Sequence, residues 1–409
     1  MNQVTTPPTG QRQAPIRFVE FVALIAALMA VGALGIDTML PALPELGRDL
    51  HASTRDLPLV IALYSGGFGA AQLVHGPLSD RFGRRPVLIG SLAAYVIMNL
   101  LCALAGSLSL LLVARVCAGL AIAATRVVTV ALIRDCYAGR AMARVSSLAV
   151  MTFMVFPIIA PSIGELILRF GSWRLIFNVI AVVSAVIAGW FVWRMPETLI
   201  LEDRIPLEWA RLKANWRYTL ADRQSVGYAA AVIGLQGALF GYITSIQPIM
   251  ARVFRQPHRL GLVFALCAGM MMIGNLLNSR IVMRLGMRRI SHGAMLALIV
   301  VASTSLMVER SGHENLPLFI ALQAVTMMCF GLAASNCSAM AMANMGAIAG
   351  TASSLQGFFV TTGGALIGGL IGMAFDGTTT PLHLGFLVAG IVALLLAAIV
   401  ERGRLFHPT

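Results

Sequence analysis

The chain alternates long apolar runs with short basic connections. A helix needs about 20 apolar residues to cross a bilayer, and twelve such runs can be drawn: 18–40, 57–75, 86–105, 109–133, 146–168, 175–193, 226–251, 260–281, 290–308, 316–343, 349–375 and 381–400. Backbone polar groups in lipid must be paired within their own element, so the runs are read as helices rather than strands. A hydrophilic stretch over roughly 194–223 separates the sixth run from the seventh, and its 208–218 portion reads as a short interfacial helix. The expected organisation is a tail (1–17), a six-helix bundle (18–195), a linker (196–224), a second six-helix bundle (225–401) and a tail (402–409).

Basic residues orient the runs. With both termini on one face, twenty Arg and Lys fall in the segments of that face. Only Arg48, Arg55, Arg169, Arg174, Arg252, Arg255, Arg259 and Arg310 fall on the other. The excess places both termini in the cytoplasm. The chain also carries a weak internal repeat. Arg81-Phe82-Gly83-Arg84-Arg85 follows the second run, and Arg284-Leu285-Gly286-Met287-Arg288-Arg289 follows the eighth, 203 residues later. Parallel repeats of six helices are one known architecture of secondary transporters.

Composition agrees and narrows the function. Of the 409 residues 58% are hydrophobic and 11% charged, against about 25% charged in soluble domains. The net charge of +13 comes from 29 Arg and the single Lys213. These lie mostly in short loops, which reads as topology rather than as a nucleic-acid surface. The six cysteines lie mostly inside apolar runs without CxxC spacing and read as free thiols, and the scattered histidines show no metal-ligand spacing. There is no Gly-rich Lys loop for ATP and no clustered Ser/His/Asp set at a membrane face. Residues 1–17 are polar and Pro-rich, and the first apolar run is long enough to span, so no cleavable signal peptide is expected.

The segment Gly76-Pro77-Leu78-Ser79-Asp80-Arg81-Phe82-Gly83-Arg84-Arg85-Pro86 resembles the loop signature of the major facilitator superfamily. The resemblance implies an all-α integral membrane fold: twelve transmembrane helices in two six-helix bundles around a central cavity. It implies a cytoplasmic gate motif at Gly76, Asp80, Arg81, Gly83, Arg84 and Arg85. Asp80 and Arg84 sit four residues apart, within pairing reach on a helix.

Further segments resemble the proton-coupled drug antiporter branch, in particular the Bcr/CflA type with its phenicol and multidrug exporters. They are Gly35–Pro44 at the end of the first run, Arg115 with Gly119, Arg134-Asp135-Cys136-Tyr137, Ala160-Pro161-Ser162-Ile163-Gly164, and Trp173-Arg174 with Phe177. Ala118 stands where that branch has Gln, Glu165 where it has a second Gly, and Met283 where the second loop copy would have an acid. The resemblance implies a bacterial inner-membrane antiporter, driven by the proton gradient and expelling antibiotics or other small amphiphiles. Its partners are substrate, protons and lipid; it has no cofactor or metal and acts as a monomer. Export of an endogenous metabolite such as a sugar or amino acid is the alternative, and a non-transporting receptor on the same scaffold is a further one.

Charges inside a membrane span are costly and therefore need a reason. Asp37 and Arg115 each lie about six residues from the outer end of their runs, at similar depth. A carboxyl desolvated in a cavity resists ionisation and a neighbouring guanidinium promotes it, so the pair is the candidate for proton coupling. Arg126 lies eleven residues after Arg115, three helical turns and about 20° further on. That helix face thus carries two cations and suits an anionic, zwitterionic or strongly dipolar substrate; pairing of Arg126 with Glu20 is the alternative. Tyr64, Met154, Gln236, Phe240, Asn275, Asn336 and Gln356 complete the candidate substrate cavity. Pro157, Pro161 and Gly164 form a helix-kink motif in the fifth run. Glu165 is expected to pair with Arg169, and Gly364, Gly368 and Gly372 to permit tight helix packing.

Overall fold

The computed structural model describes residues 16–137, 139–199, 202 and 209–406. The tail before residue 16 lies outside these, and of Met154 only the backbone is described. The described chain is helical: α1 (Phe18–Asp37), α2 (Leu43–Asp49), α3 (Leu57–Phe82), α4 (Arg84–Ala103), α5 (Leu108–Cys136), α6 (Gly139–Leu168), α7 (Trp173–Arg194), α8 (Trp209–Ala221), α9 (Arg223–Pro248), α10 (Leu260–Leu285), α11 (Met287–Arg310), α12 (Leu316–Met342), α13 (Ala349–Met373) and α14 (Thr380–Val400). Among the described residues eleven helical segments are long and apolar enough to cross a membrane. The remaining long helix, α6, spans 30 residues, with its apolar part at Val155–Leu168. The short helices are α2, which lies beyond the end of α1, and α8, in the segment read as interfacial.

The ends of the helices follow local chemistry. Side chains of Ser107, Asp222 and Asn315 accept from backbone N–H groups in the first turns of α5, α9 and α12, the role short polar residues play at N-caps. The basic motif, drawn from the sequence as a loop, is mostly helix. α3 runs through Phe82, and Gly83 alone, at φ 104°, separates it from α4. Gly286, at φ 80°, does the same between α10 and α11. A helix leaving the hydrocarbon keeps its hydrogen bonds until a residue adopts positive φ, where glycine alone is unstrained. α9 likewise continues past Pro248 into a π-helical turn, Ile249–Val253.

The halves repeat each other in packing. In the first, α3 packs on α5, α4 on α5 and α7, and α1 on α6; in the second, α10 packs on α12, α11 on α12 and α14, and α9 on α13. The closest crossings repeat as well. A Cβ on Gly67 would lie 2.5 Å from the Val116 carbonyl, and one on Gly119 would overlap the Tyr64 carbonyl; Gly274 and Gly331 meet the carbonyls of Met328 and Met271 at 2.6 and 2.7 Å. Lipid gives helices no hydrophobic reason to associate, so small residues that admit backbone-to-backbone contact do the work. Gly364, Gly368 and Gly372 seat α13 on Gln236, Phe240 and Thr244 of α9 in the same way.

Between the halves, α3 faces α13 and α6 faces α10. Among the described residues four hydrogen bonds join them. Gln72 donates to Thr361, Thr362 to the Gly66 carbonyl, Arg252 to Thr54, and the Gly261 N–H to Glu165. The last two lie at the face opposite the termini, called the far face below, and the first two near the middle of α3. Among the described residues the bonded seam thus runs from mid-span to the far face, and no hydrogen bond joins the bundles near the termini.

Replacing Gly119 by Ala would force α5 away from α3. The overpacking should cost about 1–3 kcal/mol, read as a lower thermal midpoint of the detergent-solubilised protein, while Gly90→Ala, whose Cβ would meet nothing within 4 Å, should leave the midpoint unchanged.

Candidate functional site

α1 ends at Asp37, and this end is buried between helices. Asp37 is 5% exposed, and its Oδ1 has no hydrogen-bond partner. The Thr38 hydroxyl beside it is also without a partner. Gly164 makes this turn possible from the α6 side: its missing Cβ leaves room for the Thr38 carbonyl and for Pro41. The other half closes the site with α9. That helix packs on the Leu40–Ala42 turn just past Asp37, and its Tyr242 and Ser245 hydroxyls are likewise buried and unsatisfied. A buried polar atom without a partner is costly, and two adjacent ones at this turn, with two more on the helix that packs beside it, make this the candidate site.

Arg115 is fully buried and is not the partner of Asp37, a departure from the expectation that their common depth brings them together. Its Nε donates to the Val60 carbonyl at 3.0 Å, and its guanidinium stacks over Tyr64 at 4.0 Å and stands 5.8 Å from the Phe177 ring centre. Two of its nitrogens have no acceptor. Tyr64 is consequently a wall of the first bundle rather than of a cavity; its hydroxyl donates to the Gly32 carbonyl at 3.1 Å and meets Tyr95 OH at 3.2 Å.

Arg126 is placed differently. Seven residues earlier on the same helix face is Gly119, which packs on α3. Arg126 is exposed and makes no salt bridge among the described residues. Glu20, its alternative partner, is instead gripped by both forks of Arg194, with Trp190 donating as well.

The other cavity candidates divide. Phe240 and Asn336 are buried; Phe240 fills the contact with α13, and Asn336 donates to Asn278 at 2.7 Å. Gln356 is half-buried and donates to Ser225 and the Ala341 carbonyl within the second bundle. Gln236 and Asn275 are half-buried. A separate cavity of about 430 Å³ opens on the far face between the halves, with Arg48, His51, Gln247 and Arg252 among its walls.

At the termini face, Arg84 organises the gate motif. It is 2% exposed; its guanidinium donates to Asp80, to Ser79 at 2.9 Å and to Asp135 at 3.0 Å. Its backbone N–H and that of Arg85 donate to the two oxygens of Glu197, at 2.9 and 3.1 Å. Arg85 reaches on to the Met195 and Val192 carbonyls. The cluster ties α3, α4, α5 and the end of α7 into one unit, whereas Gly76 packs near Val127 and Arg81 stacks on Phe82. Asp135 and Glu197 were not singled out as members of this group. Their signal was their place: each is an acid where a span meets the basic face. The second half repeats the idea, with Arg288 donating to Glu401 just beyond α14.

Comparison with known proteins gives this arrangement its family. The family model described as Major Facilitator Superfamily matches residues 24–366. The chain belongs to the major facilitator superfamily. It is 28% identical over 395 residues to an uncharacterized MFS-type transporter, YdgK, of Bacillus subtilis, covering 95% of this chain and 96% of that protein. It is 27% identical to a bicyclomycin resistance protein homolog of Haemophilus influenzae, over 88% of this chain and 91% of the relative. With a chloramphenicol resistance protein of Pseudomonas aeruginosa it shares 31% identity over 85% of this chain and 82% of the relative. The crystal structure of the human organic anion transporter MFSD10 (TETRAN) superposes with a TM-score of 0.68 at 17% identity, over 97% of this chain and all of that one. The fold is thus that of a major facilitator, and the protein is a multi-pass membrane transporter.

Arg84→Ala would strand Asp80 and Asp135 around a vacated buried position. Loss of one partner of a buried ion pair typically costs about 3–5 kcal/mol, so the variant should express poorly and melt early. Arg84→Lys should recover only part of the loss, because an ammonium cannot serve Asp80, Ser79 and Asp135 together as the planar fork does. Thermal midpoints of the three proteins check both statements.

Proposed function

We propose that this transporter is a proton-coupled exporter of antibiotics or similar small amphiphiles, working by alternating access with both termini in the cytoplasm. Three supports converge. The basic residues favour the termini face as cytoplasmic. The described hydrogen bonds between the halves run from mid-span to the far face, so cargo would enter from the cytoplasmic side, past the exposed Arg126. Relatives named for bicyclomycin and chloramphenicol resistance favour drugs as cargo.

The observation that carries the coupling is Asp37. A carboxyl buried without a cation is accommodated as the neutral acid, and one that meets water or a guanidinium as the anion. Asp37 sits at the turn where α1, α6 and α9 converge across the two halves. Parting of α9 from α1 on the far face would wet it and release its proton outward or take one up. Rejoining would return it to the dry state. Arg115, stacked one helix away, has two unused donors and is positioned to receive the carboxylate when the helices shift. Cargo entering near Arg126 from the cytoplasm and a proton entering at Asp37 from outside would then each favour opposite-facing states, which is antiport.

The decisive measurement is drug flux in everted vesicles under an imposed pH gradient, with susceptibility of cells to a broad antibiotic panel alongside. Asp37→Asn should abolish gradient-driven uptake while leaving folding intact. Flux in the variant that still follows the gradient would end the coupling role. A panel unchanged by presence of the gene would end the drug reading.

Arg126 makes a second expectation. A charge-assisted contact is worth about 1.5–3 kcal/mol, and 1.4 kcal/mol is tenfold in an equilibrium constant. Arg126→Gln should therefore raise the KM for anionic or zwitterionic cargo about tenfold or more, with little effect on cationic cargo. Competition assays with a charge series of dyes read this directly.

A further inference from the structure

On the far face the two halves are held on the α6 side by one acid. Glu165, one residue past Gly164, reaches across to α10, where its Oε1 accepts the backbone N–H of Gly261 at 2.9 Å. Gly261 is the second residue of α10, and the first-turn N–H groups of a helix have no partners inside it. The carboxylate thus satisfies an orphan donor and meets the positive end of a 26-residue helix. The fit is close: a Cβ on Gly261 would lie 2.6 Å from Ser162 Oγ and 3.3 Å from the Glu165 carboxylate. Arg169, four residues on, was the expected partner; it makes no described bond to Glu165. The same short stretch of α6 touches the coupling turn, since Gly164 rests on the Thr38 carbonyl. Gly164 and Glu165 are adjacent, so α6 cannot part from α10 at Glu165 without moving the wall of the Asp37–Thr38 turn.

We propose that Glu165 is the latch of the far-face gate: its bond to the N-terminus of α10 holds the far face shut, and breaking it exposes the Asp37–Thr38 turn from that side. This positioning role rests on the reading that the halves part at the far face. It does not rest on the identity of the cargo or on proton coupling.

The test therefore measures exposure rather than transport. Thr38 is buried at 2% exposure, and Thr38→Cys is close to isosteric. In a variant with the six native cysteines replaced, the full-length protein in intact cells is treated with a membrane-impermeant maleimide from outside. Expression level and size-exclusion profile confirm folding. With Glu165 present, labelling at position 38 should be slow. Glu165→Ala should speed it at least threefold. Glu165→Gln keeps a carbonyl acceptor for the Gly261 N–H and should fall between the two, and Arg169→Ala should match the parent. Labelling in Glu165→Ala no faster than in the parent overturns the latch. So does equal acceleration by Arg169→Ala, which would assign the effect to the surface of α6 in general.

Discussion

Everything in this molecule depends on helices touching backbone to backbone in a solvent that does not push them together. Apolar side chains gain little by leaving lipid for a helix interface. Gly67 and Gly119 in one half, and Gly274 and Gly331 in the other, remove the side chains at the crossings of α3 with α5 and α10 with α12. Once those axes are close, Arg115 can lie flat on Tyr64 and reach the Val60 carbonyl, so this guanidinium is held inside the first bundle without an ion pair of its own. The same logic operates between the halves, where Gly357 and Gly369 of α13 and Gly69 of α3 leave room for side chains of the opposite element. Tightly packed bundles and the close seam between them both derive from absent side chains.

Much of this was legible in the sequence. Run length and the repeated Gly-Arg motif are one-dimensional signals that translate directly into spans and into the repeated helix junctions at Gly83 and Gly286. The family resemblance at Gly76–Pro86 rests on consecutive residues and so survived folding unchanged. What escaped is azimuthal. Depth along a run says how far Asp37 and Arg115 lie from a face, but not which way each points around its helix, and they point to different neighbours. Helical spacing put Arg115 and Arg126 on one face, yet the first is buried inside the bundle and the second exposed.

Glu165 shows the other limit. The i,i+4 rule nominated Arg169, an exposed pair of small worth, while an unsatisfied backbone donor on α10 offered a better partner that no side-chain pattern reveals. Asp135 and Glu197 were missed for a related reason: the motif's arginines were visible, but their acids come from segments 51 and 112 residues or more away. The cavity candidates fared unevenly because polarity inside a membrane helix has two uses. In Asn336 and Gln356 it ties neighbouring helices together, while Arg126 is left exposed.

The single-residue junctions at Gly83 and Gly286 leave the chain no slack. Each hairpin is a fixed-length linkage in which the register of the returning helix is set by the outgoing one. Inserting or deleting one residue there would change the distance and angle at which α4 or α11 leaves its partner helix. Arg84 would swing away from Asp80 and Asp135, or Arg288 from Glu401. Chain length at these two points is thus as strictly constrained as residue identity, so natural length variation should gather in the far-face connections and the linker and spare these hairpins.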